Sequence, residues 1–268
     1  MKNKLAYIKT ALFGLLMLPL LSSCEEVIDY ELRKGDEKVV VEGWIYDTPG
    51  PYTVRLSNTK AYLENGGTTG INGATVIISD NEGHVDTLQQ VQDGLYQTTS
   101  LQSKIGNTYY LKAVSNGEIY TAQSTLLPVN PIDSIVYEFK EGNGRFEKGY
   151  YPTMFITDPA GKGNHYLFNV YINGARDKNL AVLNDDYYDG NSGEVFLNYT
   201  LQQGDTFRVD VLSLDKAAYD FYLGLAIMQN YTGGPFDSPP ANAPSNISNG
   251  GIGFFGAASI KKKEIVIK

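Results

Sequence analysis

Residues 108–125 read TYYLKAVSNGEIYTAQST, two alternating runs around the pair Asn116-Gly117. Both residues of such a pair take positive φ at little cost, which commits the chain to a tight antiparallel hairpin. Weaker versions of the signal precede it. VVVEGWIYD at 39–47 and YTVRLSNT at 52–59 are rich in strand formers. GATVIISDNEGHVDTL at 73–88 sets Asp80-Asn81-Glu82-Gly83 between two runs, and DGLYQTT follows at 93–99. Short alternating runs with no helix between them can bury their apolar faces only by stacking sheet on sheet. Residues 38–127 are therefore expected to form an antiparallel β-sandwich, with Trp44 in its core.

PVNP at 128–131 reads as a linker, because two prolines in four residues stiffen the chain and break strand pairing. The remainder, 132–268, resumes the β pattern with IDSIVYEF, YPTMFITDP, HYLFNVYING, EVFLNYTL and DTFRVDVLSL. Alternation puts Tyr166, Phe168, Val170 and Ile172 on one side of their run. It likewise turns Phe207, Val209 and Val211 inward and Arg208 and Asp210 outward. A single helix over about 215–231 interrupts this pattern. Ser213 or Asp215 can cap it, Ala218, Phe221, Tyr222, Leu225 and Met228 share a face, and Gly233-Gly234 stop it. A Gly/Pro-rich loop follows at about 233–257, and SIKKKEIVIK ends the chain as a strand whose lysines blunt an edge. The expected fold is mostly β: a transthyretin/Ig-like sandwich, then a second sandwich-like domain carrying one helix.

The N-terminus sets location. Lys2, Lys4 and Lys9 precede the apolar run ALFGLLMLPLL at 11–21, about half of what a bilayer span requires. A positive start, a short apolar centre and small residues at the end describe an export signal. Leu21-Ser22-Ser23-Cys24 resembles the lipobox of bacterial lipoproteins, in which cleavage before the cysteine is followed by acylation of its thiol and new amine. Residues 1–23 are then a removed signal peptide, and 24–37 an acylated cysteine and tether. Cys24 is the only cysteine, so no internal disulfide competes for the thiol. Two or three fatty chains hold a protein on a membrane where one does not. Glu25 and Glu26 resemble the surface-export signals of lipoproteins in Bacteroidetes-type bacteria, which slightly favours the outer face.

The chain carries a net charge of −8, and removal of three leader lysines deepens it. That balance excludes nucleic acid as a partner and electrostatic docking on anionic lipid. The covalent anchor is left to do the membrane work.

The order GATV, DGLY, GNTYYL resembles transthyretin-like or carboxypeptidase-regulatory sandwiches. More of the chain is similar to a family of bacterial outer-membrane lipoproteins known as domain of unknown function 4249. The pieces that carry the resemblance are VVVEGWI, GPYTVRLSNT, GATVIISD, YTAQSTLLPVNPIDSI, FITDPAGKGNHYLF, GDTFRVDVLSLDKAAYDFY and PPANAPSNISNGGIGFFGA. The resemblance implies an exported lipoprotein of Bacteroidetes-type bacteria, often encoded beside a TonB-dependent outer-membrane transporter. It implies no catalytic or binding residue.

Chemistry is sparse. The only histidines, His84 and His165, have no G-x-S-x-G elbow to serve and no H-E-x-x-H motif to join. No enzyme activity, catalytic residue or cofactor is expected. NDDYYDGN gathers Asp185, Asp186, Asp189 and Asn191, oxygen donors of the kind calcium takes. The EF-hand spacing fails at Tyr187, so the loop is read as a solvated turn and calcium is expected to leave the melting temperature unchanged. In the long loop, Asn246, Phe254 and Phe255 are the candidates for contact with a ligand or partner. The expected role is a non-catalytic binding accessory to a TonB-dependent barrel in nutrient uptake. A structural, adhesive or glycan-binding surface lipoprotein is the alternative.

Overall fold

The computed structural model describes residues 36–60, 68–144, 146–234 and 238–268. The chain divides into two compact units, Met1–Asp36 and Glu37–Lys268. All of the first but Asp36 lies outside the described residues, and with it the expected signal peptide, Cys24 and most of the tether.

The second unit is β-structure with one helix among its described residues, as the alternation requires. Its first sandwich stacks two sheets. One contains β1 (Val39–Tyr46), β2 (Thr53–Asn58), β5 (Gln89–Gln92) and β6 (Leu95–Gln97). The other runs in the order β4 (Val85–Thr87), β3 (Thr75–Asp80), β7 (Thr108–Ser115), β8 (Glu118–Thr125). β7 and β8 are the expected hairpin: Ser115 pairs Glu118, with Asn116 at φ 50° and Gly117 at φ 82°. Val41, Ile45, Val54, Leu56, Val76, Ile78, Tyr109 and Leu111 fill the space between the sheets. Each such side chain contributes about 1.5–3 kcal/mol on leaving water. β5 has no alternation to betray it, since all four of its residues are exposed.

A fifth strand, from the end of the long-loop region, completes the first of these sheets. Residues 252–258, most of them read as loop, form β16 (Ile252–Ala258), which lies parallel to β1 with Val41 opposite Gly253 and Gly43 opposite Phe255. The sheet order is β16-β1-β2-β6-β5. Parallel neighbours need a long crossover, and here β2 to β15 (Thr206–Leu214) and the helix lie between the two strands in sequence. Close approach is possible because Gly253 sits at φ 101°, where a Cβ would come within 2.2 Å of the Val41 carbonyl oxygen.

The second sandwich packs a three-stranded sheet, β14 (Ser192–Phe196), β10 (Gly149–Thr157), β9 (Ile132–Lys140), against another built on β11 (His165–Ile172) and β15 (Thr206–Leu214). β12 (Ala175–Arg176) and β13 (Ala181–Asn184) pair with β11, and β17 (Ile260–Val266) pairs with β15. Its core contains Met154, Ile156, Tyr166, Phe168, Val170, Phe207, Val209 and Val211. Tyr166, Phe168 and Val170 thus point inward as alternation demands, with Ile172 partly buried beside them. Asp210 departs from the expected outward exposure: it is 5% exposed, held by Arg208 Nε at 3.0 Å and Lys262 Nζ at 3.7 Å. The segment read as a linker is packed, with Val129 buried in this second core and Asn130 Nδ2 donating to Thr157 O at 2.8 Å.

Helix α1 (Lys216–Gln229) falls within the expected limits. Asp215 caps it, one carboxylate oxygen accepting from Ala218 N at 2.8 Å, as an N-cap acid does. The other oxygen accepts from Thr125 N at 3.1 Å, which ties the helix to the end of β8. A third apolar cluster joins Leu167, Leu212, Leu214, Ala218, Phe254 and Ala258, with Trp44, Tyr46, Phe221 and Tyr222 packed against it. Trp44 is therefore half-buried on the outer face of its sheet, not inside the sandwich. Its ring lies 5.8 Å from both Tyr222 and Phe254.

Candidate functional site

One grouping of carboxylates among the described residues lies where β10 ends and β11 begins. Asp158 follows β10, and the turn Asp185–Asn191 joins β13 to β14. Asp158, Asp185 and Asp189 each bring a carboxylate oxygen within 4.8 Å of the other two. Asp158 and Asp185 are 4% and 2% exposed, whereas Asp186, Tyr187 and Asn191 face solvent, so the turn expected to be solvated is anchored by one buried acid.

Local hydrogen bonds explain the convergence. Asp185 closes its own turn by accepting Tyr188 N at 2.9 Å and Asp189 N at 3.1 Å on its carbonyl, and its carboxylate accepts Asn164 N at 3.0 Å. Asp189 Oδ1 accepts Gly161 N at 2.7 Å, which locks the turn to the Pro159–Asn164 loop. Asp158 accepts the Tyr166 hydroxyl on one oxygen and Gly190 N at 3.3 Å on the other. Burial, and next the hydrogen bond to Asp158, push the Tyr166 phenol far above its ordinary pKa, so it remains a donor. Ile156, Leu183, Tyr188 and Val195 line a small apolar hollow beside the carboxylates.

Of the residues expected as oxygen donors, the fold brings together Asp185 and Asp189. Asp186 instead accepts from Asn184 Nδ2 at 2.6 Å, and the Asn191 side chain donates to Asp189 O at 2.8 Å. Asp158 takes the vacant role. It stands 27 positions before Asp185, with β11, β12 and β13 between, so no spacing motif joins them. An all-oxygen set of this kind suits a hard cation such as calcium and not zinc, which wants nitrogen or sulfur.

A second grouping, Asp80, Glu82 and His84, occupies the turn between β3 and β4. Every member is otherwise engaged. Asp80 accepts the backbone N–H groups of Glu82 and His84 and faces His84 Nδ1 at 2.9 Å, while Lys104 pairs with Glu82. His165, the other histidine, is 9% exposed and packs its ring 4.5 Å from that of Tyr219, with no partner on Nδ1. Burial lowers its pKa, with Asp185 opposing.

Two of the three long-loop candidates, Phe254 and Phe255, occupy the interior. Phe255 is fully buried in the first core, and Phe254 is 3% exposed in the cluster under α1. Asn246 acts as a strand partner. Its Nδ2 donates to Phe255 O at 2.7 Å and Gln123 O at 3.2 Å, and its Oδ1 accepts Phe255 N at 3.0 Å. Phe254 and Phe255 are thus turned into the packing, while the half-buried Asn246 holds β16 in place. Among the described residues no helix is long and apolar enough to cross a membrane.

Comparison with known proteins agrees on family and is silent on chemistry. A family model described as "Domain of unknown function (DUF4249)" matches residues 25–264. No curated protein matches the chain. Among solved structures, a two-domain fibronectin type-III segment of chicken tenascin is similar at 14% identity over 67% of this chain and 92% of that one. Its TM-score is 0.22, too low to carry an argument. The β-sandwich assignment stands on the sheets and cores themselves.

Proposed function

The chain belongs to the family of domain of unknown function 4249, and on that premise we propose that it is a lipid-anchored, non-catalytic binding accessory of the outer membrane. Acyl chains on Cys24 hold it there, on the surface-facing side, beside a TonB-dependent barrel whose uptake of a nutrient it assists. The observation that carries the reading is the placement of the single cysteine, at the end of an eleven-residue apolar run and a Leu-Ser-Ser triplet. Acylation at that point fixes the protein to a membrane without a spanning helix. The absence of catalysis is supported by the two histidines, one held in a turn and the other tilted against the Tyr219 ring.

Expression of the full gene in a bacterium fed an alkyne-tagged palmitate should label the protein and recover it with outer membranes. Cys24→Ser should lose both label and membrane recovery. An unlabelled wild type, or a Cys24→Ser variant that fractionates unchanged, removes the anchor. Purification in detergent without any barrel protein removes the transporter partner and leaves the anchor standing.

A further inference from the structure

Open antiparallel sheets expose strand edges, and a bare edge recruits other strands unless something blunts it. Most described edges of this protein are blunted. On β17, Lys261 and Lys262 pair with Asp47 and Asp210, and Lys263 Nζ donates to Asp133 O at 2.6 Å. The last contact also screens β9, together with Lys268 N on the Tyr137 hydroxyl at 3.2 Å. β5 is broken by a register shift, and β4 and β12 have three and two residues. β8 is flanked by Ser248, which donates to Thr121 O at 2.9 Å, and β16 by Asn246. Beside β13, Gln229 of α1 holds the chain at Lys178 and Leu180.

β14 has none of these devices. Its five residues pair β10 on one side without a shift, and it holds neither lysine nor proline. Its outward residues continue an apolar face. Phe196 lies in a row with Thr153 and Val136, and Glu194 in a row with Phe155 and Ser134. Phe196 is 75% and Val136 49% exposed. Tyr151 extends the face, edge-on to Phe146, with Lys140 Nζ 4.9 Å from its ring centre. The flanking charge nearest Phe196 is acidic: Glu138 and Glu194 form no ion pair among the described residues, whereas Lys148 is taken by Glu141 and Lys140 lies over the Phe146 and Tyr151 rings farther along the sheet.

We propose that β14 and the outer face of its sheet receive an extended polypeptide segment as an added strand. The segment carries an aliphatic side chain beside Phe196 and a Lys or Arg two residues away beside Glu194. Backbone pairing supplies affinity in this mode and alternate side chains supply specificity. A second copy of the chain fits poorly, because its own balance of −8 would face the same acidic flank. The inference depends on neither the anchor nor the transporter.

The probe is a short acetylated peptide repeating Val-Thr-Lys-Thr, followed by fluorescence anisotropy and amide hydrogen exchange on the full chain. Saturable binding with slowed exchange at residues 193–196 is expected. Phe196→Lys, at an exposed site that should leave the melting temperature unchanged, should weaken binding by about tenfold or more. Glu194→Lys should shift preference to the matching Val-Thr-Glu-Thr peptide, which the wild type should reject. No saturable binding, protection elsewhere, or equal affinity in the variants overturns the proposal. So does a dimer in sedimentation that Phe196→Lys abolishes, since the edge would then be occupied by a second copy.

Discussion

Asp86 shows what one buried acid does here. It is 3% exposed, and its carboxylate accepts Thr99 N at 2.9 Å, Thr99 Oγ1 at 2.7 Å, Ser100 N at 2.7 Å and Leu101 N at 2.8 Å. Burial alone would raise its pKa, but these bonds together hold it below the ordinary value. A depressed folded-state pKa adds stability that is fully present above the unfolded value near 4 and lost as pH falls through the folded one. Asp86→Asn should therefore cost roughly 2 kcal/mol at neutral pH and flatten the loss of stability below about pH 4. Urea titrations at a series of pH values check both. The same local logic built the Asp158, Asp185 and Asp189 cluster. Asp185 and Asp189 could be read off one short loop, whereas Asp158 could not, because only the β10–β11 connection brings it near.

Among the elements, β16 carries the least expected contact. Its sequence, IGFFGAA, alternates poorly because both of its faces are buried, Phe255 and Ala257 in the first core and Phe254 and Ala258 in the cluster under α1. Buried strands lose the period that betrays a half-exposed one. Gly253 decides whether it can dock: with φ at 101° and Val41 O in the way, Gly253→Ala should cost roughly 3 kcal/mol or more. Gly250→Ala is the control. It too has a positive φ, 71°, but nothing lies within 4 Å of its missing Cβ, so roughly 1 kcal/mol is expected. Chemical denaturation of the two variants measures the difference. The β7–β8 hairpin is the opposite case, since Asn116-Gly117 fixed its turn and register locally.

For the whole molecule, the cluster around Trp44 matters most. α1, the outer face of the first sheet and the outer face of the β11–β15 sheet share it, so each sandwich loses apolar contacts if the other melts. Residues 37–268 should accordingly unfold in one step. Trp44 is the only tryptophan and sits at this shared cluster, so its fluorescence is a direct reporter. Thermal curves from Trp44 emission and from far-ultraviolet circular dichroism should coincide; two separated midpoints would mean that the sandwiches melt independently. Glycine turns and alternating runs allowed the β class, the hairpin and the helix to be read directly, with the cap narrowed to Ser213 or Asp215. Those features depend on residues a few positions apart, where backbone sterics and side-chain period act without help from the fold. The return of β16 to β1, the place of Trp44 outside the first core, the burial of Asp210 and the arrival of Asp158 beside Asp185 were left to the tertiary structure. Each joins residues far apart in sequence, and the burial that stabilises such contacts exists only once both sandwiches have closed.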